Sequence, residues 1–285
     1  MSIVGTVREP PLPRIQNTMG RSKFSYNLIM KLWKLGPLFD KLPLVGSKPS
    51  EKTTSAHIIP VNQNVHSGKN VVLPMQVLRP IIERASGVAI MNECLCRRGR
   101  NCRTFPRDFG CLLLGSAVTD LDPALGRIVT PAEAIAHSER AINMGLVPLV
   151  VHDATDAWMW GLDFTKMMNV CFCCDCCCDV RRNVRRHLSG LFENVHRLPG
   201  LTVSVGEGCD SCGVCVGQCM ASAIELTEAG AHIGENCKGC GRCVSACPQK
   251  VIAMTFDAHV DTVGLTLETY EHRSDVGPLS SGRNY

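Results

Sequence analysis

The chain has 285 residues, 45% of them apolar and 20% charged, and a formal net charge of +4. Those proportions fit a folded protein of one or two domains and exclude a wholly disordered chain. Its 18 cysteines outnumber its 3 Trp, 3 Tyr and 8 Phe together, so part of the fold must be held by something other than aromatic packing.

The opening segment MSIVGTVREPPLPRIQNTMGR lacks the long apolar stretch of a secretory leader. No run approaches the roughly 20 apolar residues of a membrane span. These features predict a cytoplasmic protein, and in a reducing compartment many cysteines mean metal or redox chemistry rather than disulfides.

In chain order, residues 1–70 read as an N-terminal extension. Its Pro-rich start is followed by FSYNLIMKLWKLGPLFDKLPLV at 24–45. There Leu28, Lys31, Leu32 and Leu35 suit a short amphipathic helix over 24–35, closed by Gly36-Pro37. That stretch is expected to pack on its own protein, with docking to a partner or a membrane surface as the sharper reading.

Residues 71–200 read as a cysteine-rich mixed α/β domain. VLPMQVLRPIIERAS predicts a short helix with Pro80 at a break or early turn. GVAIM and LLL predict strands. Thr130-Pro131-Ala132-Glu133 is a helix start that runs to about Met144, with Gly145 as the stop. LVPLVV predicts a buried strand whose Pro148 suggests an edge or a bend. From Arg181, Val184, Leu188, Leu191, Phe192 and Val195 share one helical face, with Arg181, Arg182, Arg185 and Arg186 mostly off it. Leu198-Pro199-Gly200 marks a boundary. The expected layout is then a domain over 201–257 and a C-terminal tail over 258–285.

Within 201–257 the signal is sharpest. Residues 209–219 read CDSCGVCVGQC and residues 237–247 read CKGCGRCVSAC, followed by Pro248. Both follow C-x2-C-x2-C-x3-C, and a shift of 28 residues also superposes Gly213 on Gly241, Val216 on Val244 and Ile224 on Ile252. Such a repeat implies two copies of one supersecondary unit. Three cysteines at i, i+3 and i+6 wrap three corners of an iron–sulfur cube from one tight loop. Small residues such as Gly213, Gly239 and Gly241 let backbone amides approach the sulfurs, and the fourth corner must come from farther away. A zinc ribbon would use two CxxC pairs and leave Cys215, Cys219, Cys243 and Cys247 without a purpose.

This stretch resembles the bacterial-type ferredoxin family in its two-[4Fe-4S] form. The resemblance implies an α+β architecture: a C-terminal ferredoxin-like doubled βαβ cluster-binding domain, preceded by the cysteine-rich mixed α/β domain. Carried over position by position, Cys209, Cys212, Cys215 and Cys247 hold one cluster, and Cys237, Cys240, Cys243 and Cys219 hold the other. One departure is visible: the family usually places Pro after the fourth cysteine of each copy, and here Met220 follows Cys219.

Ten further cysteines have no standard pattern. Cys94, Cys96, Cys102 and Cys111 form one block, and Cys171, Cys173, Cys174, Cys176, Cys177 and Cys178 the other. As a helix the second block would align Cys171, Cys174 and Cys178. As a strand it would put Cys171 and Cys173 on one side and Cys174, Cys176 and Cys178 on the other. All ten are candidate ligands for one or two additional iron–sulfur clusters or a zinc site. The first block alone is the simplest four-ligand set, and a mixed set is equally reasonable. The N-terminal part is loosely similar to uncharacterised cysteine-rich ferredoxin-like proteins. Arg97, Arg98, Arg100, Arg103 and Arg107 stand beside these thiols, where positive charge favours thiolate.

The expected function is a relay of single electrons through two clusters between redox protein partners. The alternatives are a reductase acting at the N-terminal cysteines and a metal- or cluster-handling protein. Eight thiolates and two doubly positive cores would cancel about four positive charges, so the loaded protein is close to neutral. Residues 181–197 hold five Arg and one Glu and suit contact with the acidic 201–257 stretch or with an acidic partner. No nucleic-acid partner is expected, because no interleaved aromatics or binding module accompany RRNVRR. His152, Asp153 and Asp156 form a small polar group with an expected structural role.

Overall fold

The computed structural model describes residues 54–60, 65–67, 70–72, 74–185, 192–271 and 274. The helix expected at 24–35 lies outside them. Helices and sheets are mixed in an α+β arrangement.

A seven-stranded sheet has the order β6-β4-β5-β8-β7-β1-β9. Its strands are β1 (Thr54–Ile58), β4 (Val88–Met91), β5 (Leu112–Leu114), β6 (Gly126–Ile128), β7 (Val147–Asp153), β8 (Met168–Cys173) and β9 (Val195–Arg197). All neighbours run antiparallel except β1 and β9. The apolar run of β5 is explained by cover on both faces. Leu112 and Leu114 pack with Val77, Leu78, Ile81 and Ile82 of α1 (Pro74–Arg84) and with Ala134, Ile135 and Ala141 of α3 (Pro131–Asn143). Leu113 faces the other way, toward Met91, Trp160 and Met167. Strand alternation thus divides the core between the two faces.

The two proline expectations are corrected. Pro80 lies inside α1; four buried aliphatic side chains, Val77 and Leu78 before it and Ile81 and Ile82 after it, outweigh the one lost helical hydrogen bond. Pro148 sits in a central strand. Its carbonyl accepts from Ile59 N at 2.9 Å, just past the end of β1. The missing N–H therefore points where the neighbouring ladder has stopped.

The start of α3 follows its sequence. Thr130 and Glu133 form a reciprocal capping box, Pro131 opens the helix, and Gly145 turns away at φ +81°. Thr130→Ala should lower stability by about 1 kcal/mol, seen as a smaller urea midpoint with an unchanged slope.

The arginine-rich helix is shorter than its periodicity suggests. α5 covers Asp179–Arg185, and Val195 belongs to β9. Val184, Phe192 and Val195 still share one buried cluster, so the apolar spacing reports burial rather than continuous helix. Leu188 and Leu191 lie outside the described residues.

The cysteine ladder is framed by a second sheet of order β10-β13-β2-β3, with β2 (Val65–Ser67), β3 (Asn70–Val72), β10 (Leu201–Val205) and β13 (Ile252–Phe256). β10 and β13 are antiparallel, with Leu201 opposite Phe256 and Val205 opposite Ile252. A hairpin of β11 (Ile224–Thr227) and β12 (Gly230–Ile233) lies between them in sequence. Short helices α6 (Val214–Gln218) and α7 (Arg242–Ala246) follow the two cysteine loops. The order is strand, cysteine loop, helix, strand, twice over. Within the 258–285 stretch, α8 (Thr262–Glu271) packs on α1. Its buried Tyr270 donates to Val150 O at 3.1 Å and hydrogen-bonds His57 Nδ1 at 2.7 Å.

Candidate metal centre

The two ladder copies build matching loops. Gly213 and Gly241 precede α6 and α7 in the left-handed region, at φ +74° and +80°. That conformation turns the chain back over the cysteines and favours glycine. Gly239 also sits in the left-handed region, at φ +67°, and a Cβ there would come within 2.7 Å of the Leu201 side chain, which would have to shift. Backbone amides point at sulfur: Ala223 N to Cys219 Sγ at 3.2 Å, Ala231 N to Cys209 Sγ at 3.4 Å and Gly239 N to Cys237 Sγ at 3.4 Å.

The spatial grouping of the ladder crosses the repeat. Cys209, Cys212, Cys215 and Cys247 line one pocket, with Leu226, Val251 and Ile252. Cys219 instead lies within electrostatic range of Cys237, Cys240 and Cys243. Burial pushes the Cys237, Cys240 and Cys243 thiols upward, Cys243 to about 12. Met220 also has an explanation. It is buried with Cys173, Cys178, Val184 and Phe192, whereas Pro248 at the matching position is exposed. A packing side chain is needed where the first copy meets the seven-stranded sheet, and none is needed where the second copy meets water.

The ten other cysteines fall into groups that the sequence does not announce. The run 171–178 is neither helix nor strand throughout: β8 ends at Cys173 and a turn follows. The turn gathers Cys174, Cys176 and Cys177 against Cys102, with all four sulfurs within 4.8 Å of one another. Cys102 Sγ is 3.6 Å from Cys176 Sγ, which is 3.7 Å from Cys174 Sγ. The four thiols that come together are therefore drawn from both blocks, and the first block does not close on itself. Burial opposes ionisation of Cys102, but the Phe105 and Thr104 amides and the Cys177 and Cys176 thiols bring it down to about 7.

The remaining six influence one another most strongly in pairs: Cys94 with Cys96, Cys171 with Cys111, and Cys173 with Cys178. None of the 18 cysteines forms a disulfide. The hydrogen bond from Cys96 draws Cys94 down to about 6, while its partner is pushed up. Helix α2 (Leu95–Gly99) carries Arg97, which is 1% exposed. Its guanidinium donates to Pro106 O at 2.8 Å, to Phe172 O at 2.7 Å and to Phe109 O. Sequence reading placed Arg97 beside the thiols but gave no sign that it is buried.

Arginines also join the two cysteine regions. Asp175 pairs with both Arg181 and Arg242, and Arg185 donates to Gly217 O at 3.0 Å. The arginine stretch therefore lies against the ladder. Burial, followed by repulsion from Arg242, lowers Arg181 to about 10.

The His152 group is structural. His152 stacks on Phe164 at 3.8 Å and hydrogen-bonds its carbonyl, and Asp153 caps α4 (Ala154–Trp160). Desolvation, with repulsion from Asp153, raises Asp156 to about 8 against a 2.6 Å hydrogen bond from Asn169. The folded state thus keeps a proton that the unfolded chain releases near pH 4, and stability falls as pH rises from about 4 to about 8. Asp156→Asn should flatten this slope, which is at most about 1.4 kcal/mol per pH unit, in urea melts of the loaded protein at pH 6 and 8.

Residues 232–253 match the family model of the 4Fe-4S binding domain. The stretch spans the second ladder copy, from β12 into β13, and the chain carries a ferredoxin-type iron–sulfur binding domain there. No curated protein and no solved structure matches the chain. Among the described residues, no helix is long and apolar enough to cross a membrane.

Proposed function

We propose that the protein relays single electrons through two [4Fe-4S] clusters, in a doubled βαβ domain over 201–257 set behind a cysteine-rich domain over 71–200. The carrying observation is the crossed grouping of the ladder, with Cys247 among Cys209, Cys212 and Cys215, and Cys219 among Cys237, Cys240 and Cys243. That is the exchange of fourth ligands that two-cluster ferredoxins use. The donor sets fit the group: four thiols each, glycine turns that admit the backbone, and amides aimed at sulfur. The clusters supply reversible one-electron chemistry. The chain's residues fix their spacing, shield them from water and tune their charge environment.

The two sets differ in exposure, and this suggests a direction. Cys212 is exposed, and Val214, Val216 and Leu226 nearby are 41%, 38% and 48% exposed. A redox protein partner exchanges electrons at this end. The set around Cys240 faces inward, toward Cys173, Cys178 and Arg181.

Cys102, Cys174, Cys176 and Cys177 hold a further metal. About 2.3 Å metal–sulfur bonds in a tetrahedron put the sulfurs about 3.8 Å apart, close to the 3.6 and 3.7 Å found here. A cube's irons stand between its ligand sulfurs and need wider spacing. The set therefore suits one zinc or iron ion. Eighteen cysteines without a disulfide among them and oxygen-sensitive clusters suit the cytoplasm.

Acid-labile sulfide and iron on anaerobically purified protein test the reading. At least about eight of each per chain are expected, with broad absorbance near 400 nm that bleaches on reduction. Protein that holds only zinc, with no sulfide, overturns it.

A further inference from the structure

We infer that the cleft formed by the loop after α2 is a binding site for a small organic anion, with Arg103 and Arg107 taking its phosphate or carboxylate head. The inference goes beyond the relay reading and does not depend on it.

The cleft has a volume of about 890 Å³, within the roughly 300–1,000 Å³ usual for small-molecule sites. Its charged lining is Arg98, Arg103 and Arg107 against Glu93 and Asp108. Glu93 matches Arg98 at 2.7 Å. Arg107 instead donates through Nη1 to the neutral Asn101 Oδ1 at 2.6 Å, which leaves most of its five N–H groups for a ligand. Among the described residues no ion pair engages Arg103. Three arginines against two carboxylates leave one formal positive charge in the cleft. A guanidinium fork matches the oxygens of a carboxylate or phosphate through paired hydrogen bonds. Phe105 and Pro106 also line the cleft. They give an apolar wall that a bare inorganic ion would leave unused, so the ligand has an organic body.

The walls are fixed before any ligand arrives. Cys94 N donates to Arg107 O at 2.9 Å and Cys102 N to Arg97 O at 2.9 Å, so the loop is closed on itself by backbone bonds. The buried Arg97 guanidinium donates to Pro106 O at 2.8 Å and to Phe109 O. Asn101 lies in the left-handed region at φ +51°, a conformation asparagine tolerates better than most side chains, and from there its amide reaches Arg107. A site held this way loses less conformational freedom on binding.

The cleft also borders the N-terminal metal centre. Asn101 and Arg103 flank Cys102 in the chain, and Phe105 N donates to Cys102 Sγ at 3.4 Å. A bound anion therefore rests on the loop that carries one sulfur of the four-thiol set. This is where a small substrate or effector meets that centre.

The test is calorimetric titration of the intact, anaerobically purified protein with three probes that share a ring: phenyl phosphate, benzoate and neutral benzamide. At least one anion should bind, and benzamide should bind about tenfold more weakly or worse. Tighter phenyl phosphate assigns a phosphate head, tighter benzoate a carboxylate, and equal affinities a site open to either. Arg103→Gln with Arg107→Gln should weaken the better anion by about tenfold or more, with an unchanged circular dichroism spectrum because both side chains are exposed. Arg79→Gln with Lys166→Gln removes the same charge from other exposed positions and should change binding by less than about twofold. If the first double variant does not fold, Arg103→Gln alone decides, with a loss of about fivefold expected. No binding of either anion, equal binding of benzamide, or an equal loss in the two double variants overturns the inference. Protein that binds the anion but holds no sulfide overturns the relay reading alone, whereas about eight sulfides with no anion binding overturns this inference alone.

Discussion

Cys219→Ala should empty or damage the cluster of the other ladder copy. Cys219 belongs by sequence to the copy that starts at Cys209, but it stands with Cys237, Cys240 and Cys243. Each of Cys209→Ala, Cys219→Ala and Cys237→Ala should lose about four irons and four sulfides, or show the oxidised EPR signal of a three-iron remnant. The doubles discriminate. Cys219→Ala with Cys237→Ala strips a single cluster and should lose no more iron than either single variant. Cys209→Ala with Cys219→Ala strips both and should lose about eight irons. Uncrossed ligation predicts the reverse pattern, so iron and sulfide assays on anaerobic preparations of the wild type and these five variants decide between them. The expected non-additivity is that of residues sharing one site.

The ladder was readable because its chemistry is local. Three cysteines of each copy lie within seven residues, and the glycines that permit the turn sit among them. The spacing marked the two cysteine loops, whereas the helices and strands around them were expected from the ferredoxin resemblance. The N-terminal thiols were not readable in the same way. Cys102 meets Cys174, Cys176 and Cys177 across more than seventy residues, and the partners are set by how β8 ends and how α2 docks on it. A helix or strand period cannot describe 171–178, because the run changes from strand to turn at Cys173. Arg97 shows the same limit: among five arginines in eleven residues, only the fold decides which one is buried. Pro80 and Pro148 were misjudged for a related reason, since local rules lost to packing in one case and to the end of a neighbouring strand in the other.

Asp175→Asn should both weaken the fold and raise the potential of the centres beside it. Asp175 lies on the turn between Cys174 and Cys176 and pairs with Arg181 and Arg242, whose side chains are 8% and 16% exposed against its own 39%. Removing it leaves two covered guanidinium groups facing each other, a repulsion already visible in the lowered Arg181. Breaking a fully buried pair costs about 3–5 kcal/mol, and the exposure of Asp175 reduces this to about 1–3 kcal/mol. The electrostatic consequence has a definite sign. The local charge becomes more positive by one unit near Cys240, Cys173, Cys174 and Cys178. Reduction adds negative charge to a cluster, so the reduced form gains and the potential moves up, on the order of tens of millivolts. Arg242→Gln removes positive charge from the same place and should move the potential down. EPR-monitored redox titrations of the two variants should therefore bracket the wild type. The spread should narrow in high salt, because Asp175 is partly open to solvent. Shifts of the same sign in both variants would mean that these arginines do not face the electron path.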